Sequence, residues 1–244
     1  MKQNKEKKIL GVIPARGGSK GIKDKNIIPL CGRPLIWYTE KAIAESKLLN
    51  RVILSTDSEK IAKAVTDSRI EISMRPAELA RDHSKTTDVL KWLLNELKEK
   101  ENYMPDYLVI LQPTSPLRSG ADIDACIEKL LSDQTADSVV SVCEAPHNCI
   151  PEKIMYMQED ELKPYCSESE KYTIRQEVPQ YYARNGAAVY AFNVNMFLKM
   201  GSLYGNRCIP YIMSDENSVD IDTPFDLFIV EAILEKRKKL ETLG

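Results

Sequence analysis

The chain has 244 residues, of which 43% are hydrophobic and 29% are charged, and its formal net charge is -2. This length and hydrophobic content suit one large α/β domain, with or without a smaller inserted unit. The nearly balanced charge excludes a basic surface over the whole protein, so we do not expect nucleic acid as a partner. Six cysteines without a CxxC pair, together with only two histidines, argue against a zinc site and a disulfide framework.

The N-terminal segment MKQNKEKK is charged, and only a few apolar residues follow it before Pro14. That stretch is too short for a signal segment or a membrane span. We therefore expect a cytoplasmic protein that does not interact with a membrane.

Predicted strands and helices alternate along the first part of the chain. Short apolar runs bounded by polar residues predict strands, and apolar residues at helical spacing predict helices. These are a strand at 9–12, a helix at 34–46, a strand at 51–56, a helix from 57–59 to about 65, a helix at 87–100, a strand at 107–111, a helix at 122–131 and a strand at 138–142. The alternation predicts an α/β fold, with a mostly parallel sheet flanked by helices on both faces.

The alternation stops in residues 144–183, which are rich in Pro, Glu, Lys and Tyr. Short alternating pieces at 153–157 and 161–165 predict small strands. We interpret this stretch as a lobe inserted into a domain made of 1–143 and 184–244. A long structureless loop is the alternative, but such loops are uncommon inside compact domains. Regular structure is expected to resume with a strand at 187–193, a short helix near 196, a strand at 208–213 and a last helix from 225 to about 240.

Three glycines and four cations lie in IPARGGSKGIKDKN, residues 13–26, directly after the first predicted strand. Gly17, Gly18 and Gly21 allow positive φ angles and can turn successive N–H groups toward one anion. The spacing matches neither GxxxxGK[ST] nor GxGxxG. An ordinary strand-to-helix connection is the alternative. The dense packing of glycines and cations at a strand end favours a di- or triphosphate site. The cations are Arg16, Lys20, Lys23 and Lys25.

Asp220 and Asp222 lie in SVDIDTP, immediately before the last predicted helix. On an extended backbone, a spacing of two points both carboxylates to the same side. Mg²⁺ is usually held by one or two carboxylates together with substrate phosphate oxygens, so the phosphate site favours a magnesium site here. The alternative is that Asp222 or Thr223 caps the helix.

Two further segments could contribute polar groups to the same edge of the sheet. The segment LQPTSPLR, residues 111–118, either presents side chains to a ligand or forms a capped turn, and the residues alone do not separate these readings. The segment RPAELARDHSKTTD, residues 75–88, offers hydroxyl groups for a base, although taken alone it reads as a solvated loop. The polar residues of the first segment are Gln112, Thr114, Ser115 and Arg118.

Taken in order, these segments resemble the acylneuraminate cytidylyltransferases, the enzymes that make CMP-activated sialic acids and their nine-carbon relatives. IPARGGSKGI with the following KN, RPAELA, LQPTSPLR, an RNGA-type segment and SVDIDTP span nearly the whole chain in the family's order. The resemblance implies a Rossmann-like nucleotidyltransferase fold with a small dimerisation lobe, and a homodimer. It further implies that CTP and a nine-carbon 2-keto-3-deoxy acid sugar react to give a CMP-sugar and pyrophosphate.

The resemblance also implies roles for individual residues. Those with a catalytic role are Arg16, Lys20, Lys25, Asp220 and Asp222, with Mg²⁺ bound by the two aspartates. Those that bind the nucleotide are Arg16, Gly17, Gly18, Ser19, Lys25, Asn26, Arg75, Ser84 and Thr86. The residue that binds the sugar is Gln112. We also place four residues at the carboxylate and acyl groups of the sugar, with a solvated lobe surface as the alternative for each: Lys153, Arg175, Arg184 and Asn185.

Several alternatives stay open from the sequence. The acceptor is an N-acylneuraminate or a related nonulosonic acid, namely legionaminate, pseudaminate or deaminated sialic acid. A CMP-Kdo synthetase is disfavoured because GGSKG is present. A non-catalytic nucleotide-binding protein is the alternative from another class, and the intact Asp220 and Asp222 argue against it.

Overall fold

The computed structural model describes residues 7–19, 21–166 and 179–243. Its strands are β1 (Ile9–Pro14), β2 (Pro29–Leu30), β3 (Arg33–Pro34), β4 (Arg51–Thr56), β5 (Ile70–Met74), β6 (Tyr107–Ile110), β7 (Ser138–Glu144), β8 (Met155–Gln158), β9 (Glu161–Pro164), β10 (Tyr182–Arg184), β11 (Tyr190–Asn193) and β12 (Cys208–Ile212). Its helices are α1 (Leu35–Glu45), α2 (Glu59–Ala64), α3 (Thr86–Glu101), α4 (Gly120–Ser132), α5 (Val194–Met200) and α6 (Pro224–Leu243). Within the described ranges, every helix is too short or too polar to span a lipid bilayer.

Eight of the described strands form one sheet in the order β10-β7-β11-β6-β1-β4-β5, with β12 paired to β7. Strands β6, β1, β4 and β5 run parallel to their neighbours, and β12 is parallel to β7. In contrast, β11 runs antiparallel between β6 and β7. The predicted α/β fold is therefore confirmed, with β11 antiparallel near the middle of the sheet and β10 antiparallel beside β7.

Helices cover both faces of this sheet, as predicted. Ile9 and Ile13 of β1 point to one face, where α1 and α4 pack, and Leu10 and Val12 point to the other, where α3 and α5 pack. Because side chains alternate along a strand, a strand buried on both sides reads as a continuous apolar run. That is the pattern of ILGVIP.

Helix α6 does not pack on the sheet but closes a third apolar cluster beside α1. Ile221 and Val230 are fully buried there against Leu35 and Tyr38 of α1. The segment that carries Asp220 and Asp222 is thereby fixed next to the glycine-rich loop. Gly21 approaches the carbonyl oxygen of Asp222 so closely that a Cβ on this glycine would lie 2.8 Å from it.

The differences from the predicted elements lie at the periphery. Strand β5 was not predicted, because it is an edge strand whose Ile72 and Met74 are exposed. The two short strands predicted in the lobe are found as the antiparallel hairpin β8–β9. Strand β10 pairs with β7 in the main sheet. The division of the chain into a main domain and a dimerisation lobe stays a prediction.

Candidate active site

The glycine-rich loop follows β1 and is tied to the end of β4. The Gly17 N–H donates to Asp57 Oδ1 at 2.9 Å, and the Ala15 N–H donates to the Ser55 carbonyl at 3.0 Å. The side chain of Asn26 is buried and donates to the Arg16 carbonyl at 2.9 Å, which closes the loop from its other end. The loop is therefore held in shape by the protein itself.

The three glycines do not share the positive φ that their pattern predicts. Gly18 has a φ of +69°, whereas Gly17 does not lie in the left-handed region. A Cβ at Gly17 would lie 3.3 Å from Ser58 Cβ. Gly21 is thus needed because the Asp222 carbonyl approaches it closely, whereas Gly17 lies close to Ser58 and donates its N–H to Asp57 rather than to an anion.

Three cations around the loop are each accompanied by a carboxylate. Arg16 Nη1 lies 2.8 Å from Asp82 Oδ1, and Lys25 Nζ lies 2.8 Å from Asp222 Oδ1. Lys25 also donates to the Ile221 carbonyl at 2.9 Å. The third cation, Arg75, belongs to the next loop along the sheet edge.

Arg75 is the most buried of these three cations, with 7% of its surface exposed. Its Nη2 lies 3.7 Å from Asp57 Oδ1, which is too long for a hydrogen bond, and its buried Nε has no partner in the described part of the chain. Burial lowers the pKa of Arg75, and the charge of nearby Arg16 acts in the same direction. A desolvated, incompletely paired guanidinium of this kind binds an anion strongly.

These side chains line a cleft of about 390 Å³ at the carboxyl ends of the parallel strands, where open α/β sheets bind ligands. Of the described residues predicted to bind the nucleotide, all but Gly17 and Gly18 line this cleft, which we call the nucleotide cleft after that prediction. They are Arg16, Ser19, Lys25, Asn26, Arg75, Ser84 and Thr86. Gln112 and Asp222 complete one wall. Lys20 lies outside the described residues.

The two predicted metal carboxylates have different surroundings. Asp222 is exposed and faces Lys25. Asp220 is half-buried, and Ser115 Oγ lies 3.4 Å from its Oδ1. Burial raises the pKa of Asp220, and the neighbouring charge of Asp222 adds to this rise, whereas a hydrogen bond from Thr114 opposes it.

A glycine turn makes room for Asp220. Gly186 has a φ of +66°, and a Cβ on it would lie 2.1 Å from Asp220 Cγ. Thr223, rather than Asp222, fulfils the capping role at α6. Thr223 Oγ1 accepts from the Asp226 N–H at 3.3 Å and donates to Asp226 Oδ2 at 2.8 Å. The side chain of Asp222 is thus not needed as a cap and lies at the cleft.

The donor set around these two carboxylates fits a hard cation. No group of three or more His, Cys, Asp or Glu side chains suited to a metal lies within the described residues. A pair of carboxylates beside a phosphate cleft is the arrangement that Mg²⁺ uses, because phosphate and water oxygens complete its shell. Besides burial, the negative charge of Asp222 raises the pKa of Asp220, and a divalent cation bound between the two carboxylates would offset this repulsion.

A second cleft of about 630 Å³ adjoins the first and shares Thr86, Gln112 and Asp222 with it. Its outer wall is aromatic and cationic. The Arg184 guanidinium lies over the Tyr204 ring, 5.7 Å from the ring centroid, and also hydrogen-bonds the Tyr204 hydroxyl. Tyr190 stands beside Tyr204, and burial raises the pKa of Tyr190 to about 12. We call this space the acceptor cleft.

The predicted sugar-binding residues are distributed unevenly. Gln112 and Arg184 line the acceptor cleft. Asn185 is buried, and its amide contacts Ser141 at 2.7 Å and Ser218 at 3.1 Å beneath the Gly186 turn. Lys153 is exposed on the lobe beside His147 and lines neither cleft. Arg175 lies outside the described residues.

Arg118 joins the two turns that carry Gln112 and Gly186. Its guanidinium is buried and donates to the carbonyls of Gln112 and Ala188, both at 2.9 Å, and to Thr39 Oγ1 at 2.5 Å. Burial lowers the pKa of Arg118 to about 9, although Asp122 and Asp220 oppose the shift. The sequence left two interpretations open for residues 111–118, contact with a ligand or a capped turn. The hydrogen bonds of Arg118 show that this residue stabilises the turn.

The sequence reasoning missed four residues of the site. Asp57 follows a predicted strand directly, so its position at the sheet edge was a usable signal. Asp82 lies in a segment already singled out. Tyr190 and Tyr204 carry no local signal, because they meet only through the fold.

A cation-lined cleft at the carboxyl edge of an open α/β sheet, joined to a second polar cleft, defines a protein of the Rossmann-like nucleotidyltransferase class. The solved structure of CMP:2-keto-3-deoxy-manno-octonic acid synthetase complexed with CTP has the same fold. Its TM-score is 0.70 at 17% sequence identity, covering 94% of this chain and 99% of that chain.

The chain belongs to the cytidylyltransferase family, whose profile matches residues 10–241. It is 31% identical over 234 residues to the N-acylneuraminate cytidylyltransferase of Escherichia coli O18:K1:H7, covering 95% of this chain and 53% of that relative. It is 30% identical over 240 residues to the CMP-N,N'-diacetyllegionaminic acid synthase of Legionella pneumophila, covering 93% of this chain and 97% of that relative. The chain thus spans about half the length of the first relative and nearly all of the second.

Proposed function

We propose that this protein transfers CMP from CTP to an N-acylneuraminate or a closely related nonulosonic acid, with release of pyrophosphate. The observation that carries the proposal is the pair of adjoining clefts, which meet at Thr86, Gln112 and Asp222. A reaction between a nucleotide and a second substrate requires such a junction. The activities for which the two relatives are named support the choice of cytidine and of a nine-carbon acid.

The nucleotide cleft suits a triphosphate. Arg16, Lys25 and Arg75 line it, and together they offset the charge of the phosphate chain. Arg75 acts in a partly desolvated position, where its charge is screened less than at the surface. Ser84 and Thr86, on the same wall, supply hydroxyl groups for the nucleoside.

The acceptor cleft suits an acidic sugar. Arg184 offers a cation for a carboxylate, and Tyr190 and Tyr204 offer flat surfaces with polar edges. Gln112, at the junction, can hydrogen-bond a sugar hydroxyl while facing the nucleotide. The anomeric hydroxyl of the sugar would then lie near the α-phosphorus.

The chemical step needs positioning and charge neutralisation, not a covalent protein nucleophile. The hydroxyl oxygen forms a bond to the α-phosphorus as the bond to the leaving pyrophosphate breaks. Lys25 and Arg16 offset the charge that develops on pyrophosphate. A carboxylate of the Asp220 and Asp222 pair receives the hydroxyl proton.

We further propose that Asp220 and Asp222 hold Mg²⁺. When bound there, Mg²⁺ would neutralise phosphate charge and lower the pKa of the attacking hydroxyl. Asp220 is half-buried and Asp222 is exposed, and Ile221 lies between them in the sequence. The Lys25 ammonium donates hydrogen bonds to the Ile221 carbonyl and to the Asp222 carboxylate. A cation therefore already occupies the neighbourhood of Asp222.

We also propose a cytoplasmic homodimer. The β8–β9 hairpin, together with the residue that directly follows it, carries five exposed large hydrophobic residues, which favours a partner surface on the lobe. All six cysteines are free, which fits a reducing compartment. The exposed residues are Met155, Tyr156, Met157, Leu162 and Tyr165. The molar mass measured by light scattering after gel filtration tests the dimer directly.

A pyrophosphate-release assay tests the activity. CTP, Mg²⁺ and a panel of N-acetylneuraminate, legionaminate, pseudaminate and deaminated sialic acid are supplied in separate reactions. We expect release with at least one acid and none with UTP in place of CTP. Absence of release with every acid would favour a non-catalytic nucleotide-binding protein. Omission of Mg²⁺ in a parallel plate should abolish release.

The variant Asp222→Asn tests the role of the carboxylate pair. We expect turnover to be lost while CTP binding, measured by calorimetry, is largely kept. Equal loss of turnover and of CTP binding would contradict a role specific to the chemical step. Asp215→Asn is a matched control, because Asp215 precedes the same segment and lines neither cleft.

A further inference from the structure

We propose that Asp82 competes with the phosphates of the bound nucleotide for Arg16, and thereby weakens nucleotide binding and favours release of pyrophosphate. This inference rests on the proposed function for the identity of the phosphates. Arg16 Nη1 and Asp82 Oδ1 lie 2.8 Å apart, and both residues line the nucleotide cleft. Asp82 therefore occupies a position on Arg16 that an anionic ligand would take.

The pair joins two separate walls of the cleft. Arg16 belongs to the glycine-rich loop after β1, and Asp82 belongs to the segment between the short 3₁₀ turn Ala77–Ala80 and α3. The residues are 66 positions apart in sequence, so their contact is a product of the fold. Ligand entry between these walls has to displace or reorient the contact.

Asp82 differs from the other two carboxylates paired with cleft cations. Asp57 also accepts the Gly17 N–H, which fixes the loop, and Asp222 lies in the segment proposed for Mg²⁺. Asp57 is absent from the wall of the nucleotide cleft, whereas Asp82 lines it. The Asp82 carboxylate thus remains close to a bound phosphate even after Arg16 has changed partner.

The strength of the pair suits an exchangeable contact. The side chains of Arg16 and Asp82 are 33% and 46% exposed, and ion pairs with such exposure are weak because solvent and salt screen them. A phosphate offers more acceptor atoms and more charge than a carboxylate, so it takes the guanidinium. The displaced carboxylate then repels the phosphate, which lowers affinity for triphosphate and for pyrophosphate alike.

The direction in which phosphate affinity changes, when the charge of Asp82 is removed, shows whether Asp82 competes for Arg16 or positions it for the ligand. If Asp82 only positioned Arg16 for the ligand, removal of its charge would weaken phosphate binding. If Asp82 competes for Arg16, the same removal strengthens binding. Asp82→Asn keeps the size of the side chain and removes the charge, so it discriminates between the two outcomes.

Calorimetry with inorganic tripolyphosphate, pyrophosphate, CTP and cytidine tests the proposal on the full chain. We expect Asp82→Asn to bind tripolyphosphate and pyrophosphate about 1.5-fold to fivefold more tightly at low salt, an effect in the range of an exposed ion pair. Cytidine affinity should not change, and the gain should shrink at high salt. Glu78→Gln is the matched control, because Glu78 is exposed nearby but does not line the cleft.

Unchanged or weaker binding of both inorganic anions by a folded Asp82→Asn variant overturns the proposal. Asp82→Ala provides a second variant with the same expected sign, and thermal melting reports whether each variant is folded. If the wild-type protein binds tripolyphosphate but neither CTP nor cytidine, the proposed function is refuted. The competition between Asp82 and phosphate for Arg16 can then still be measured with the inorganic anions. In turnover, the variant should show a lower KM for CTP together with stronger product inhibition by pyrophosphate.

Discussion

Substitution of Gly186 by alanine tests whether the position of Asp220 controls the activity. Gly186 has a φ of +66°, and its added Cβ would lie 2.1 Å from Asp220 Cγ and 2.2 Å from Asp220 Oδ1. No real Cβ contact is that short, so either the Asp220 side chain or the turn has to move. Because Ser115 lies against the same carboxylate, the movement also loosens that contact.

The expected magnitude has two parts. An alanine in the left-handed region costs roughly 1–2 kcal/mol. In a domain of this size, each kcal/mol lowers Tm by about 2–4 °C. Displacement of a catalytic group by about 1 Å can cost about 100-fold in rate. We therefore expect Gly186→Ala to lower kcat about 100-fold or more, in addition to its loss of stability.

Gly201→Ala is the matched control for this experiment. Gly201 has a φ of +65°, but the nearest atom to its added Cβ is the flexible Lys91 Nζ at 3.4 Å. This variant should show the loss of stability with nearly wild-type kcat. The measurements are thermal melting and pyrophosphate release for both variants. A folded Gly186→Ala protein with the same kcat as Gly201→Ala would refute the argument that the turn positions Asp220.

Three further predictions concern stability and chemical reactivity. Arg118→Lys should lower the free energy of unfolding by about 2–4 kcal/mol in urea titrations, because lysine cannot reproduce three bonds from one planar group. Burial acts to raise the pKa of Asp226, but hydrogen bonds from Thr223 outweigh it and lower the pKa. Asp226→Asn should therefore cost about 1 kcal/mol at pH 7, and the difference should narrow as the pH falls below about 4, where the wild-type carboxylate becomes protonated. Burial raises the pKa of the Cys126 thiol, so a thiol reagent should label exposed Cys31 in the native state and Cys126 only after unfolding.

The strands and helices could be predicted from the sequence wherever burial gives the apolar residues a regular spacing. The apolar runs of β6 and β7 and the amphipathic pattern of α3 identify these elements to within a few residues. The direction of β11 leaves no such trace. A strand buried on both faces has the same composition whether it runs parallel or antiparallel, so its direction depends on the connection that precedes it.

The site divides in a similar way. The glycine-rich loop, Gln112 and Asp222 follow strand ends or precede a helix, so local sequence places them at one edge of the sheet. The partners of Arg16 and Arg184 are set by contacts across 66 and 20 positions, and no local pattern encodes them. The sequence likewise does not show whether an asparagine side chain is exposed or buried. Asn185, which was predicted to bind the sugar, is buried.

Two buried arginines show why hydrogen-bond partners, rather than burial alone, separate a ligand-binding cation from a structural one. Arg75 and Arg118 are both nearly inaccessible, with 7% and 3% of their surfaces exposed. Arg118 donates two hydrogen bonds to carbonyls of the two turns and one to Thr39 of α1, so that among the described residues only its buried Nε lacks a partner. The nearest carboxylate oxygen to Arg75 is 3.7 Å away, and Arg75 lines the nucleotide cleft. A buried cation that keeps several donors unused bears a desolvation cost that a phosphate or a base can offset, so we expect substitution of Arg75 to change ligand affinity and substitution of Arg118 to change stability.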